Sequence, residues 1–448
     1  MSRRELLIIP SENRYREFDA KLLLACVAVE SGYRVVVGSR HDIHACIADF
    51  PQATYLAKDV RASSARMTRI LARLGHRIAA WDEEALVYHT PAQYLAARVD
   101  PAVMQATGLL FAWGNDNARI WREAACYHGA PIHAVGNARL DLLRPELRLL
   151  HERHRRLLKI DYGDFILINS NFGTVNHILP DAKETAIERF SDAAAARRHL
   201  DLLSYRTDMF GHFMIAAETL ARAFPATAIV VRPHPSENPE PWQELARNYR
   251  NLHVRHEGGI VPWLLGAKAI VHNGCTTAIE AVLLGHRAIA YQPIRDPRFD
   301  IDLPNHVSWT AEGTDELIAA VAVADGPAAR PVSMPALLDD YLAHNGQPLS
   351  CDRIVGHLRD FTHAPRTAAS HWKRCYGRIE AAWRQRRKAA FQDTSNHKNS
   401  ASYNAHRFPP IGAAEVRDTV SIYRQCLGRF GRVGVKELGA SMFELGAA

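Results

Sequence analysis

The chain has 448 residues, 47% of them hydrophobic and 23% charged, with a formal net charge of +7. That length exceeds one ordinary core and predicts two domains plus an appendage, and the composition excludes a fibrous or wholly disordered chain. No apolar run approaches the ~20 residues a bilayer-spanning helix needs, and 1–9 is too short for a secretory signal, so a cytoplasmic location is expected.

The first part alternates strand and helix signals. Residues 6–9 form an apolar run closed by Pro10, after which Phe18, Leu22, Ala25 and Val29 recur at helical spacing and stop at Gly32. Strands are predicted at 34–37, 54–56, 78–81, 109–112 and 132–135, with helical patterns over 63–74 and 117–127 between them. This rhythm implies a parallel sheet covered on both faces. A Leu-, Arg- and His-rich helix over 144–159 then bridges to a second series of strands at 165–169, 228–231, 252–254, 269–272, 288–291 and 307–309, with a long amphipathic helix over 202–224.

The expected division is an N-terminal Rossmann-like domain at 1–143, a helical linker at 144–163, a second Rossmann-like domain at 164–362, and a basic, partly disordered helical tail at 363–448. From His363 onward there are fifteen Lys and Arg against six Asp and Glu, so the tail holds the whole positive excess. It reads either as a solvated helix with an extension or as a segment touching anionic lipid at the inner face of the cytoplasmic membrane. Nucleic acid is not expected as a partner. Seven scattered cysteines without a C-x-x-C pair argue for reduced thiols and against a disulfide framework or zinc knuckle.

In each domain the polar residues of interest follow strand ends, where open α/β sheets place ligands. The loop Pro10-Ser11-Glu12-Asn13-Arg14-Tyr15-Arg16-Glu17-Phe18-Asp19 occupies the place of a glycine-rich dinucleotide loop but is not glycine-rich. Glu12 therefore suits an acceptor hydroxyl better than a pyrophosphate, and Arg16 lies on the same acceptor side. Asp82, with Glu83 and Glu84, follows another strand end and is either a general base or a complement to a helix dipole. Asn137 and Arg139 lie at the cleft rim, where Arg139 either contacts substrate or clamps the linker helix through Asp141.

In the second domain the loop 169–177 offers Asn171 and Gly173 to a donor, and Asn176 and His177 to the cleft, or is a plain turn. Arg232 and His234 stand in Arg232-Pro233-His234-Pro235, where two prolines limit the backbone. They would meet a phosphate or a sugar carboxylate; the other reading is a turn in which Arg232 pairs with Glu237. Asn273, Gly274, Cys275, Thr276 and Thr277 open a helix whose free amides attract anions, and Glu280 would accept from ribose hydroxyls. Thr277 and Glu280 also match a capping box, and Cys275 is either a reactive thiol or a small packing residue. There is no P-loop, no G-x-G-x-x-G after a strand, no H-E-x-x-H, no G-x-S-x-G and no D-x-D pair on a strand end, so the chemistry is expected to need neither metal nor cofactor.

The motifs Glu12-Asn13-Arg14 with Asp19, Gly136 to Asp141, Asn169 to His177, Arg232 to Asn238 and His272 to Glu280 occur in an order that resembles the bacterial surface carbohydrate biosynthesis protein family over roughly residues 5–360. More distantly, the His-Pro turn and the Gly-x-Thr-Thr-x-x-Glu helix start are similar to capsule transferases using CMP-activated 3-deoxy-octulosonic acid, to CDP-glycerol glycerophosphotransferases and to UDP-N-acetylglucosamine 2-epimerases. The resemblance implies an α/β, GT-B-like fold, two Rossmann-like domains with parallel sheets facing across a cleft, plus the basic tail. It also implies that His234, Thr276, Thr277 and Glu280 hold the nucleotide. Where the capsule enzymes have Gln-x-Ser, this chain has Asn273-Gly274-Cys275-Thr276. The sequence thus reads as a glycosyltransferase of cell-surface polysaccharide synthesis, using a nucleotide sugar, with a CMP-linked acidic sugar favoured, and a glycan or lipid-linked acceptor. An inverting reaction would take its base from Glu12, Asp19 or Asp82. The alternatives are a sugar-nucleotide 2-epimerase on the same fold and a noncatalytic, membrane-docked scaffold.

Overall fold

Runs of β-branched and aliphatic residues separated by helical stretches bury both faces of each strand only when helices cover the sheet on both sides. That is the arrangement in the computed structural model, which describes residues 5–179, 193–286, 288–324, 335–343, 346, 348–364, 369–394 and 399–447. The chain divides into two units, Met1–Leu150 with Pro335–Ala448, and His151–Met334.

In the first unit, β1 (Leu6–Ser11), β2 (Arg34–Ser39), β3 (Thr54–Ala57), β4 (Arg77–Ala80), β5 (Leu109–Ala112) and β6 (Ile132–Ala134) run parallel in the order β2-β1-β3-β4-β5-β6. Every residue of β1 is buried, and the helix Asp19–Glu30 buries all positions from Ala20 to Val29, so both are internal elements rather than amphipathic ones. The chain leaves β1 towards β2 and returns on the other side at β3, which makes the gap between β1 and β3 the switch point where such sheets open a crevice.

In the second unit, β7 (Phe165–Asn169), β8 (Ala228–Arg232), β9 (Leu252–Val254), β10 (Ala267–His272), β11 (Ala288–Tyr291) and β12 (Trp309–Ala311) are also all parallel, in the order β12-β11-β10-β7-β8-β9. This is the doubly wound Rossmann order, with its switch point between β7 and β10. The helix Ala193–Ala223 lays Phe213, Ala216, Ala217 and Leu220 into the core beside Phe172 and Trp242. The α/β class and two parallel sheets expected from the sequence are therefore present.

The expected tail is different. From Pro335 onward the chain belongs with the first unit, so a second domain ending at 362 and a separate segment at 363–448 are both corrected. The helix Ser350–His363 buries Cys351, Ile354, Val355 and Leu358 in the first core, and Ala413–Leu427 buries Val416, Val420 and Tyr423 there, with the Tyr423 hydroxyl donating to the Asp19 carbonyl at 2.7 Å. The last residues form two strands absent from the sequence reading, β13 (Val433–Gly439) and β14 (Met442–Ala447), an antiparallel hairpin whose β14 pairs antiparallel with β2. The hairpin covers a sheet edge that would otherwise be exposed. Tail cations also meet acids of the first unit: Arg429 binds Glu30 and Asp352, each at 2.8 Å. Among the described residues no helix is long and apolar enough to cross a membrane.

Gly38 permits the hairpin to dock, because a Cβ there would collide with the Ser441 carbonyl oxygen, which accepts from the Ser39 amide at 2.8 Å. Gly38→Val is expected to lower stability by about 2–4 kcal/mol in urea titrations, by forcing the hairpin off β2. An unchanged urea midpoint would show that the hairpin contributes nothing to the first unit.

Candidate functional site

His272 and Asn169 are register partners at the carboxyl ends of β10 and β7, so the loops that follow them diverge from one point, the switch point of the second sheet. His272 is fully buried, and burial pulls its pKa down to about 3, leaving a neutral ring. Its Nδ1 accepts the Gly274 N–H at 2.9 Å, so the proton sits on Nε2 and is donated to Ser308 Oγ at 2.8 Å, whose own hydroxyl donates to the Pro304 carbonyl at 2.7 Å. Gly274 is thereby held at φ +78°, a left-handed conformation that glycine adopts without strain.

The helix Thr276–Leu283 follows, with Cys275 at its N-cap and no side chain capping its first turn. The capping box open to Thr277 and Glu280 is thus not formed, because the helix begins two residues too early for Thr277 to be the cap. Thr277 Oγ1 instead accepts from Asn169 Nδ2 at 2.6 Å, which leaves its own hydroxyl proton to donate elsewhere. The Cys275 thiol lies 3.5 Å from the same amide nitrogen. Glu280 is buried one turn further on. Asn273 has both side-chain amide atoms buried without a hydrogen-bond partner.

On β8 the sequence reading needs correction. The Arg232 guanidinium donates to the carbonyls of Glu257 at 2.8 Å and Gly258 at 3.1 Å and lies 4.7 Å over the Trp263 ring. Burial pulls its pKa down to about 9. These carbonyls use the donors that a phosphate or carboxylate would have needed, and Glu237 is not its partner either. His234 accepts at Nδ1 from the Ser236 amide at 3.2 Å, which places its proton on Nε2. Glu237 accepts from Ser170 Oγ at 2.7 Å and from the His234 amide at 3.3 Å, and burial pushes it up to about 7.

The loop after β7 is stitched to this turn. Ile178 donates to the Ser236 carbonyl at 2.9 Å, and Asn176 Nδ2 to the Asn238 carbonyl at 2.7 Å, so Asn176 is a structural residue rather than a cleft contact. Gly173 approaches Ser236 closely, so that a Cβ there would displace the Ser236 Oγ. His177 accepts the Leu179 amide at Nδ1, and burial lowers its pKa. Asn171 is half-buried in the same loop.

In the first unit the corresponding switch point is filled. The Glu12 carboxylate binds Lys58 at the end of β3, Arg40 at 2.9 Å and Arg407 at 2.8 Å. Its charge is thus matched by three cations within the protein. Asp82 is fully buried, bonded by Arg98 Nε at 2.6 Å and the Tyr94 hydroxyl at 2.9 Å, and so has no access to an acceptor. Asp19 keeps a side chain 35% exposed; desolvation raises its carboxyl and Arg14, at 3.2 Å, opposes that. Arg16 binds Glu84 at 2.9 Å; burial raises that carboxyl, but Arg16 prevails and holds it down at about 2. Asn137 caps Arg139 at 3.0 Å, and Arg139 is buried 5.8 Å over the Trp113 ring. Asp141 accepts the Ser350 and Cys351 amides, both at 2.8 Å, at the start of the helix Ser350–His363, and pairs at 3.4 Å with Arg144, the first residue of the expected linker.

No protein-family model matches the chain, and no curated protein matches it. Among solved structures it is similar to the UDP-GlcNAc 2-epimerase of Methanocaldococcus jannaschii, at 14% identity over 80% of this chain and 99% of that one, with a TM-score of 0.48. The S. aureus MnaA–UDP structure matches at 12% identity over 82% and 100%, TM-score 0.47. The wall teichoic acid polymerase TagF matches at 7% identity over 80% and 88%, TM-score 0.45. At these values the likeness carries no functional argument.

The neutral His272 makes the second unit acid-sensitive. Its folded pKa lies below the unfolded value of about 6.5, so its stabilisation is complete above that value and is lost as pH falls towards 3. Unfolding free energy is expected to be roughly 2 kcal/mol lower at pH 5 than at pH 7 from this residue alone, and His272→Gln to flatten that dependence. An equal pH slope in the variant would mean that the ring titrates normally.

Proposed function

We propose that this chain is an enzyme acting on a nucleotide-activated sugar, and that it transfers the sugar in the synthesis of a cell-surface polysaccharide. The observation that carries this reading is the open switch point of the second sheet. There a left-handed Gly274, an uncapped helix start, the Asn169–Thr277 pair and the unsatisfied Asn273 amide meet. Amides at a helix start attract phosphate, Thr277 has a hydroxyl proton to give, and Glu280 accepts from ribose hydroxyls. The Nε2–H of His234 supplies a donor from the neighbouring strand end. With Asp82 sealed and Glu12 neutralised, an inverting transfer would draw on Asp19 for its base. A CMP-linked acidic sugar remains the favoured donor and a glycan or lipid-linked sugar the acceptor, although Arg232 no longer contributes to that preference.

A second surface supports work at a lipid boundary. On the helix His371–Ala389, Trp372 is 82% exposed, Tyr376 58%, Ile379 66% and Trp383 53%, all on one stripe at helical spacing. Exposed Lys373, Arg374, Arg378, Arg386 and Arg387 flank the stripe, and its acid Glu380 is already bound by Arg69 at 2.6 Å and by Arg73. Amphipathic aromatics beside uncompensated cations fit an anionic bilayer surface.

A thermal-shift screen of CMP, UDP, GDP and CDP tests the first reading. At a hundredfold excess over Kd, one of them should stabilise the protein by about 2.7 kcal/mol, a rise of roughly 5–10 °C. Glu280→Gln and His234→Ala should each weaken that response at least tenfold while leaving the ligand-free transition cooperative. No shift with any nucleotide would remove the enzyme reading and leave the scaffold, and a C2 epimer formed from donor alone would replace transfer by epimerisation. For the lipid surface, flotation with phosphatidylglycerol vesicles should fall at least fivefold in a Trp372→Ala, Trp383→Ala double variant; equal flotation would exclude that face.

A further inference from the structure

Next to Gly274, the second unit has a small hollow open to solvent, with Tyr205, Arg206, Asn273, Gln292, Asp300 and Asn305 on its wall. Arg206 lies in the first half of the helix Ala193–Ala223, the crossover between β7 and β8. Among the described residues its guanidinium makes no hydrogen bond and no ion pair, although the protein around it lowers its pKa by desolvation. The one carboxylate on the wall is engaged elsewhere: Asp300 accepts from the Tyr205 hydroxyl at 2.5 Å and from the Asp296 amide at 3.2 Å. Two further polar groups are stranded with Arg206. Asn273 has buried Nδ2 and Oδ1 without partners, and Asn305 a buried Oδ1 without one.

Native folds leave few buried polar groups unsatisfied, and a desolvated cation that Asp300 and Tyr205 attract only from a distance, with no hydrogen bond, is costly. Three such residues on one wall, beside the loop already argued to face a phosphate, are complementary to a ligand rather than to each other. A guanidinium offers a planar fork of donors and a side-chain amide offers N–H groups, a combination that recognises an anionic oxygen group. We propose that Arg206 and the Asn273 Nδ2 group form an oxyanion subsite that holds a phosphoryl or carboxylate group of the activated sugar, with Asn305 Oδ1 placed to accept from a ligand hydroxyl beside it, an inference that rests on the nucleotide-sugar reading of the same loop. Nothing in its sequence pattern distinguishes Arg206 from a surface cation of an amphipathic helix, since only the folded chain brings it to Gly274.

Calorimetry and thermal shifts on the full chain with inorganic pyrophosphate, CMP and CMP-N-acetylneuraminic acid test this, comparing the protein with Arg206→Met, Arg206→Lys and Asn273→Ala. Arg206→Met removes an unpaired cation, so the ligand-free melting temperature should stay level or rise while affinity falls at least tenfold, and Asn273→Ala should weaken the same ligand. Arg206→Lys, which keeps the charge without the fork, should lie between. A phosphoryl occupant makes pyrophosphate and CMP lose affinity; a carboxylate occupant leaves CMP unchanged and weakens only the CMP-linked acid. Affinities for all three probes unchanged in Arg206→Met, or no binding by the parent protein, would overturn the subsite. Nucleotide binding lost in Glu280→Gln but intact in Arg206→Met would remove the subsite and keep the nucleotide-sugar reading. Arg206-dependent binding of pyrophosphate without binding of any nucleotide would do the reverse.

Discussion

A neutral imidazole held inside the second sheet is the constraint on which the candidate site depends. Burial keeps His272 uncharged, and an uncharged ring can accept at one nitrogen while donating at the other. It takes the Gly274 amide on one side and hands its own proton to Ser308 on the other. The turn out of β10 is therefore set by a side chain with no freedom to move, and Gly274, Cys275 and the first turn of the following helix inherit that position. A protonated ring would lose its acceptor nitrogen and release the Gly274 amide.

The two units share a plan but treat their switch points in opposite ways. In the first, the ends of β1 and β3 are joined by the Glu12–Lys58 contact, with Arg40 and Arg407 completing an ion cluster. Charges matched within the protein have little left for a ligand. In the second, the end of β7 is joined to the helix start after β10 by neutral contacts of Asn169 with Thr277 and Cys275, and Asn273 beside them has both side-chain amide atoms unsatisfied. Binding energy is available where the fold has not already used it, which is why the second unit is the stronger candidate for holding the donor.

The C-terminal part of the chain explains how the first unit is completed. A parallel sheet ending at β2 would present a free edge, and the hairpin β13–β14 occupies it. The helices before the hairpin bury apolar residues against Asp19–Glu30, and the Arg429 and Arg407 contacts match basic residues of the last segment to acids near the start of the chain. The positive surplus that looked like a detached tail is in part the counter-charge of the first unit. What remains unmatched is concentrated on the helix His371–Ala389, beside its exposed aromatic stripe.

Local patterning by itself determined the alternation of strands and helices, because hydrophobic period and turn residues act over a few positions, and strand cores such as Phe165–Asn169 and Leu252–Val254 appear where the pattern puts them. It also singled out His234, Asn273, Gly274, Thr277 and Glu280 as candidates, since motifs at strand ends are contiguous in the chain. The hairpin β13–β14 was not legible, because its Gly-rich, mixed-polarity strands are stabilised by β2, some 400 residues away. Nor could sequence decide between Arg232 and Arg206. Tertiary structure surrounds Arg232 with the carbonyls of 257 and 258 and, among the described residues, leaves Arg206 without a hydrogen bond beside Asn273. Two identical side chains differ in role because availability of a charge depends on which partners folding brings within reach, and that is a property of the assembled unit rather than of the residue.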